Sequence, residues 1–161
     1  MLFDALTALE GLAPVAFLRD ARWTYAAVNA AHIAGLALLF GAIVPLDLRL
    51  MGWRRNVPIR VLARTLLPVA IGGLLLAVAA GLALFSIRAV QYATTPLFQV
   101  KLALIACALS NALLLHRAAQ WEAAQAATGI MPPPRLRVAG ALSIALWVSV
   151  IACGRMLAFV D

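Results

Sequence analysis

Four stretches of this 161-residue chain are long and apolar enough to cross a bilayer, roughly residues 23–47, 66–87, 97–116 and 138–159. A hydrocarbon core about 30 Å thick takes about 20 apolar residues per helix. In lipid a span has to satisfy its own backbone, so each run reads as a helix. Hydrophobic residues make up 65% of the chain and charged residues 12%, against about 45–50% and about 25% in a soluble domain. The spacing predicts an all-α integral membrane four-helix bundle, one domain over residues 1–161, with no soluble catalytic unit and the lipid bilayer as its first partner.

Residues 2–18 precede the first span. Leu2, Leu6 and Leu9 recur at helical spacing opposite Asp4, which predicts an N-terminal interfacial helix, ended or bent by Pro14. The segment does not read as a signal peptide, because it has no basic n-region and Asp4 and Glu10 interrupt it. Trp23 and Tyr25 suit an interfacial belt at the start of span one. Gly72, Gly73 and Gly81 permit close helix contact in span two, read as running from Pro68. Pro96 suits the first turn of span three. Segment 117–137 is polar and alanine-rich and leads into Met131-Pro132-Pro133-Pro134, a connection with room for a short surface helix.

The net charge is +7. The basic residues gather at span ends rather than on one folded face, which sets nucleic acid aside as a partner. Arg49, Arg54, Arg55, Arg60 and Arg64 lie between spans one and two, and Arg117, Arg135 and Arg137 between spans three and four. By the positive-inside rule both connections are cytoplasmic. Both termini and the 88–96 loop then face the periplasm or exterior. Cys107 and Cys153 lie within spans, form no disulfide framework and read as small apolar filler.

The polar residues inside the spans carry the functional signal. His32 lies roughly 13 Å below Trp23 on an ideal helix, and an ionisable group at that depth marks a site or a specific polar contact. Tyr25, Asn29 and His32 share one helical face. Lys101 lies roughly 7 Å from Pro96, and Arg155 comes within the last two turns of span four. Arg88 and Tyr92 stand just above. This layer has excess positive charge and no acidic partner, so an anion is its missing component: haem propionates, a quinone headgroup or another anionic ligand. The alternative is that Lys101, Arg88 and Arg155 snorkel to the headgroups. Asp47, with Arg49 or Arg64, reads as a structural ion pair at the other end. His116 is a lesser candidate ligand, since its depth differs from that of His32 by roughly 15 Å. Asn111 is placed to hydrogen-bond across helices.

The run His32-Ile-Ala-Gly-Leu-Ala-Leu-Leu-Phe-Gly, with Asp47-Leu-Arg-Leu-Met-Gly, Phe98-Gln-Val-Lys101-Leu-Ala-Leu, Asn111-Ala-Leu-Leu-Leu-His116 and Ala152-Cys-Gly-Arg155, resembles uncharacterised bacterial four-helix membrane proteins of the DUF6644 type. The likeness covers nearly the whole chain. It implies the fold and, with the topology, a multi-pass protein of the bacterial inner membrane with periplasmic termini. More distantly, the chain is similar to HemJ-type protoporphyrinogen oxidases, through a first-span His followed by small residues and a Val-Lys pattern opening a later span. That resemblance implies haem b at His32 and Lys101. The chain is also similar to the CopD copper-resistance membrane domain, matched at Lys101, Asn111 and Arg117, which implies copper handling.

Taken together, these readings lead to the expectation of a haem b-binding membrane redox protein. His32 would be an axial ligand, Lys101 a second ligand or propionate partner, Arg88 and Arg155 propionate partners, and Tyr25 and Asn29 cofactor neighbours. Electrons would pass to or from quinone or a porphyrinogen-like substrate. The alternatives are a copper-handling or other small-solute membrane protein, and a non-catalytic subunit of a larger membrane complex. A homodimer through the small-residue faces is a further expectation.

Overall fold

The computed structural model describes residues 1–126 and 129–160. In chain order the helices are α1 (Leu2–Glu10), α2 (Ala13–Asp20), α3 (Arg22–Leu50), α4 (Ile59–Ile87), α5 (Ala89–Thr94), α6 (Pro96–His116), α7 (Ala119–Ala126) and α8 (Pro134–Val160), with no strand among the described residues. The helices α3, α4, α6 and α8 are each long and apolar enough to cross a membrane, as the sequence predicts. All four start earlier than expected, and α3 and α8 also end later, whereas α4 and α6 end at the expected residues 87 and 116. Helix α4 starts at Ile59 rather than near residue 66, with Pro68 inside it. A membrane helix tolerates such a proline because neighbouring groups re-satisfy the freed carbonyl.

The single helix expected over residues 2–18 is two. Gly11 closes α1, Leu12 is extended, and Pro14 falls in the first turn of α2. Proline's fixed φ suits a helix start better than a helix middle, so Pro14 begins a helix rather than ending one. Val15 and Leu18 of α2 are buried with Ile87, beside Val28 and Leu84. Glu10 ties down α1: its Oε1 accepts the Val90 backbone N–H at 2.9 Å at the start of α5. Of the expected apolar stripe, Leu6 and Leu9 are half-buried, and the Leu2 side chain lies outside the described residues. So do residues 127–128 of the 117–137 connection, which carries α7.

Helix α3 packs along α4 and against α8, and α8 packs against α6. Both termini and α5 lie at one end of the bundle. The 51–58 and 117–133 connections make the other, arginine-rich end. At the α3–α4 crossing the backbones touch. A Cβ on Gly35 would lie 2.5 Å from Ala77 N and 2.8 Å from Gly73 O, and one on Gly73 would lie 2.6 Å from Leu39 N. Helix α4 presents a buried stripe of Ala63, Ala70, Gly73, Ala77 and Ala80 to this contact. Small residues on both sides are how membrane helices gain dispersion contact where lipid supplies no hydrophobic drive. Gly72, expected to share this role, has nothing within 4 Å of its missing Cβ. A second close approach joins α3 to α8, where a Cβ on Gly140 would lie 2.8 Å from Asp47 O.

The middle of the bundle is apolar, built from Leu39, Ala42, Ala70, Ala108, Trp147 and Val150. A second cluster, including Leu46, Leu50, Ile59, Trp121 and Leu136, fills the arginine-rich end. Asp47 and Arg49 are buried there, 4% and 1% exposed. The ion pair expected of Asp47 is absent among the described residues. Residues two apart on a helix face opposite ways, and Arg64 is exposed. Arg49 turns instead to the loop, donating Nε–H to Val57 O at 2.7 Å and an Nη2 proton to Arg55 O at 3.1 Å. Those bonds close a turn in which Gly52 takes φ +105°, a conformation that suits glycine. Ser143 on α8 is the polar neighbour of Asp47, and Asn111 Nδ2 donates to Ala139 O at 3.0 Å, as expected of a cross-helix bond.

The crossing yields a prediction with a built-in control. Gly35→Leu and Gly73→Leu should each destabilise the folded protein by about 1–3 kcal/mol or more through overpacking, read as a lower midpoint in detergent unfolding titrations. Gly72→Ala, in open space, should leave the midpoint unchanged or slightly raised.

Candidate functional site

His32 lies one turn from Gly35, so the crossing that seats Gly35 on α4 also delivers the imidazole there. His32 Nδ1 is 2.7 Å from Ala77 O. A carbonyl only accepts, so Nδ1 carries the proton and donates. In the neutral ring this leaves the Nε2 lone pair without a partner among the described residues. Gly81, one turn along α4, clears the space: a Cβ there would lie 3.1 Å from His32 Cε1 and 3.2 Å from Nδ1.

Lys101 approaches from α6. A Cβ on Gly154 of α8 would lie 3.3 Å from Lys101 Nζ and 3.6 Å from Cε. Lys101 stands within Coulombic range of both His32 and Cys153, and no carboxylate pairs with it among the described residues. On the terminal side of this pair, α4, α5 and α6 are joined by an aromatic cluster. The Phe85–Phe98, Tyr92–Phe98 and Phe85–Tyr92 centroids are 5.4, 5.5 and 6.3 Å apart. Phe85 is one turn from Gly81, and Phe98 one turn from Lys101.

The other expected residues are distributed differently. Tyr25 is 45% exposed and Asn29 is exposed, so the face they share with His32 opens outward. The Arg155 guanidinium lies 4.8 Å from the Phe159 ring centroid and, like Arg88, is exposed. No hydrogen bond or ion pair joins either arginine to His32 or Lys101 among the described residues. His116, at the opposite end, donates Nδ1–H to Ala112 O at 2.7 Å. Its ring packs 4.8 Å from Trp121, a contact that anchors α7. The clefts of about 210 and 200 Å3 also lie at that end, away from His32.

Sequence reasoning missed three parts of the site: Gly81 as clearance for a ring, Cys153 and Gly154 beside Lys101, and the aromatic cluster. Periodicity reports the face of a helix but not the partner across it.

Among the described residues no three His, Cys, Asp or Glu side chains converge. Haem iron takes one or two protein ligands. A metal-bound histidine commonly donates its other ring N–H to a backbone carbonyl, which is how His32 meets Ala77.

The tautomer is testable. In 15N NMR of ring-labelled protein, His32 should show a protonated Nδ1 and a bare Nε2. Gly81→Val should push the ring from Ala77 O, mix the tautomers and destabilise the fold by about 0.6–1.7 kcal/mol. An Nε2–H tautomer in the wild-type protein would contradict the geometry.

The chain matches no family model, no curated protein and no solved structure.

Proposed function

We propose that this chain is a membrane redox protein that holds haem b on His32 and exchanges electrons with quinone or a porphyrinogen-like substrate. The observation that carries the reading is the His32–Ala77 bond: it fixes the ring and leaves Nε2 free in a layer shared with an unpaired lysine. Bound there, haem supplies one-electron transfer. The protein's part is to orient and exclude. Ala77 O aims the imidazole, Gly81 clears its ring, and Gly154 clears the Lys101 chain. The cluster of Phe85, Tyr92 and Phe98 shields the layer from the terminal side. Lys101 is the candidate second ligand or propionate partner, and Arg88 and Arg155 are candidates to neutralise propionates from the rim. By the positive-inside rule the arginine-rich end faces the cytoplasm and both termini the periplasm of a bacterial inner membrane.

A second reading, a subunit of a homodimer or larger membrane complex, is favoured by Asn29. Its amide is exposed within a span, and hydrocarbon gives it nothing to bond.

Protein expressed with haem supplied and purified in mild detergent should show a Soret band and a reduced α-band. His32→Ala should lose both bands while remaining folded, Lys101→Met should shift or weaken them, and His116→Ala should leave them intact. A flat spectrum from folded, haem-replete protein rejects haem and moves the subunit reading forward.

A further inference from the structure

At the arginine-rich end, a cleft of about 200 Å3 opens between α6 and α8. Its floor is the buried pair Leu115 and Leu136, and its rims are Leu114, Val138 and Leu142, which are 61%, 65% and 46% exposed. The cleft runs from Asn111 past the end of α6 to Ala118 on one side and from Arg135 to Leu142 on the other, about 10 Å along α8. Asn111 is a polar group of the wall, and its Nδ2 donates to Ala139 O. What remains is an apolar trough between two membrane-spanning helices, with the exposed Arg135 at its mouth.

The charge at this end of the bundle is largely uncompensated by acidic residues. This end carries Arg49, Arg54, Arg55, Arg60, Arg64, Arg117, Arg135 and Arg137 against only Asp47 and Glu122. Asp47 is buried. Among the described residues the ion pairs are Met1–Asp4 and Arg19–Asp20, both at the other end. A trough of this kind repels water and fits an acyl chain, and its mouth asks for an anion at headgroup depth. A zwitterionic lipid brings its own cation to the arginines, whereas an anionic one does not. Basic pockets between membrane helices are where anionic headgroups bind.

We infer that the α6–α8 cleft binds one anionic phospholipid, an acyl chain lying along Leu114, Leu115 and Leu142 and the phosphate meeting Arg135. The site is independent of His32 and of any cofactor there.

Native mass spectrometry of the full chain, titrated with dioleoyl phosphatidylglycerol, dioleoyl phosphatidylcholine or inorganic phosphate, tests this. The expected result is a single phosphatidylglycerol adduct formed at several-fold lower concentration than any phosphatidylcholine adduct, with no phosphate adduct. Arg135→Gln should weaken it about fivefold, the effect of one arginine near an anionic surface. Val138→Trp, which fills the trough from an exposed position, should abolish the adduct, and Arg60→Gln, at the same end but outside the cleft, should leave it unchanged. The proposal is overturned if phosphatidylcholine binds equally, if inorganic phosphate competes the adduct away, or if Arg135→Gln and Val138→Trp both bind like the unaltered chain. Both substituted side chains are exposed, and circular dichroism confirms the fold before titration.

Discussion

The approach of α3 to α4 at Gly35 and Gly73 governs the rest of the molecule. With no room for a Cβ between either glycine and the opposing backbone, the two helices have one register and one rotation. That register places His32 opposite Ala77 O and Gly81. A side chain at Gly35 or Gly73 would part the helices, and the histidine would lose its acceptor before any residue of the site itself had changed. In lipid, where apolar side chains gain little by leaving the solvent, such backbone contact is a principal source of specificity.

Much of this architecture was legible in the chain. Four apolar runs announce four spans because lipid admits no other backbone solution for them, and the arginines sort the two ends. His32 and Lys101 stand out because ionisable groups are rare in spans, and the structure does bring them within Coulombic range of each other. The rest depended on pairings across helices. Gly72, Gly73 and Gly81 look alike in sequence, yet one faces open space, one a helix backbone and one the imidazole. Arg155 shares a depth with Lys101 and Arg88 stands just above it, but both guanidinium groups are exposed, and depth is all that a rise per residue provides. Asp47 and Arg49 invited an ion pair by proximity in sequence, which a helix denies to residues two apart.

Two groups of polar residues lie on either side of an apolar middle cluster. One holds His32 and Lys101; the other holds Asp47, Arg49, Ser143 and Asn111. Between them lie Leu39, Ala42, Ala70, Ala108, Trp147 and Val150. Asp47 Oδ2 and Arg49 Nη1 are both buried without a partner, so the second layer keeps a reserve of unsatisfied polarity at the end that carries both clefts.

Helices α3 and α4 form one hairpin, and α6 and α8 another, joined by α5 and by the α3–α8 contact at Gly140. His32, Ala77 and Gly81 belong to the first hairpin; Lys101, Cys153 and Gly154 belong to the second. The layer is therefore shared between the two hairpins and is complete only when α8 is docked against α3 and α6. Whatever parts the two hairpins therefore divides the layer, while the His32–Ala77 bond stays whole within its own hairpin.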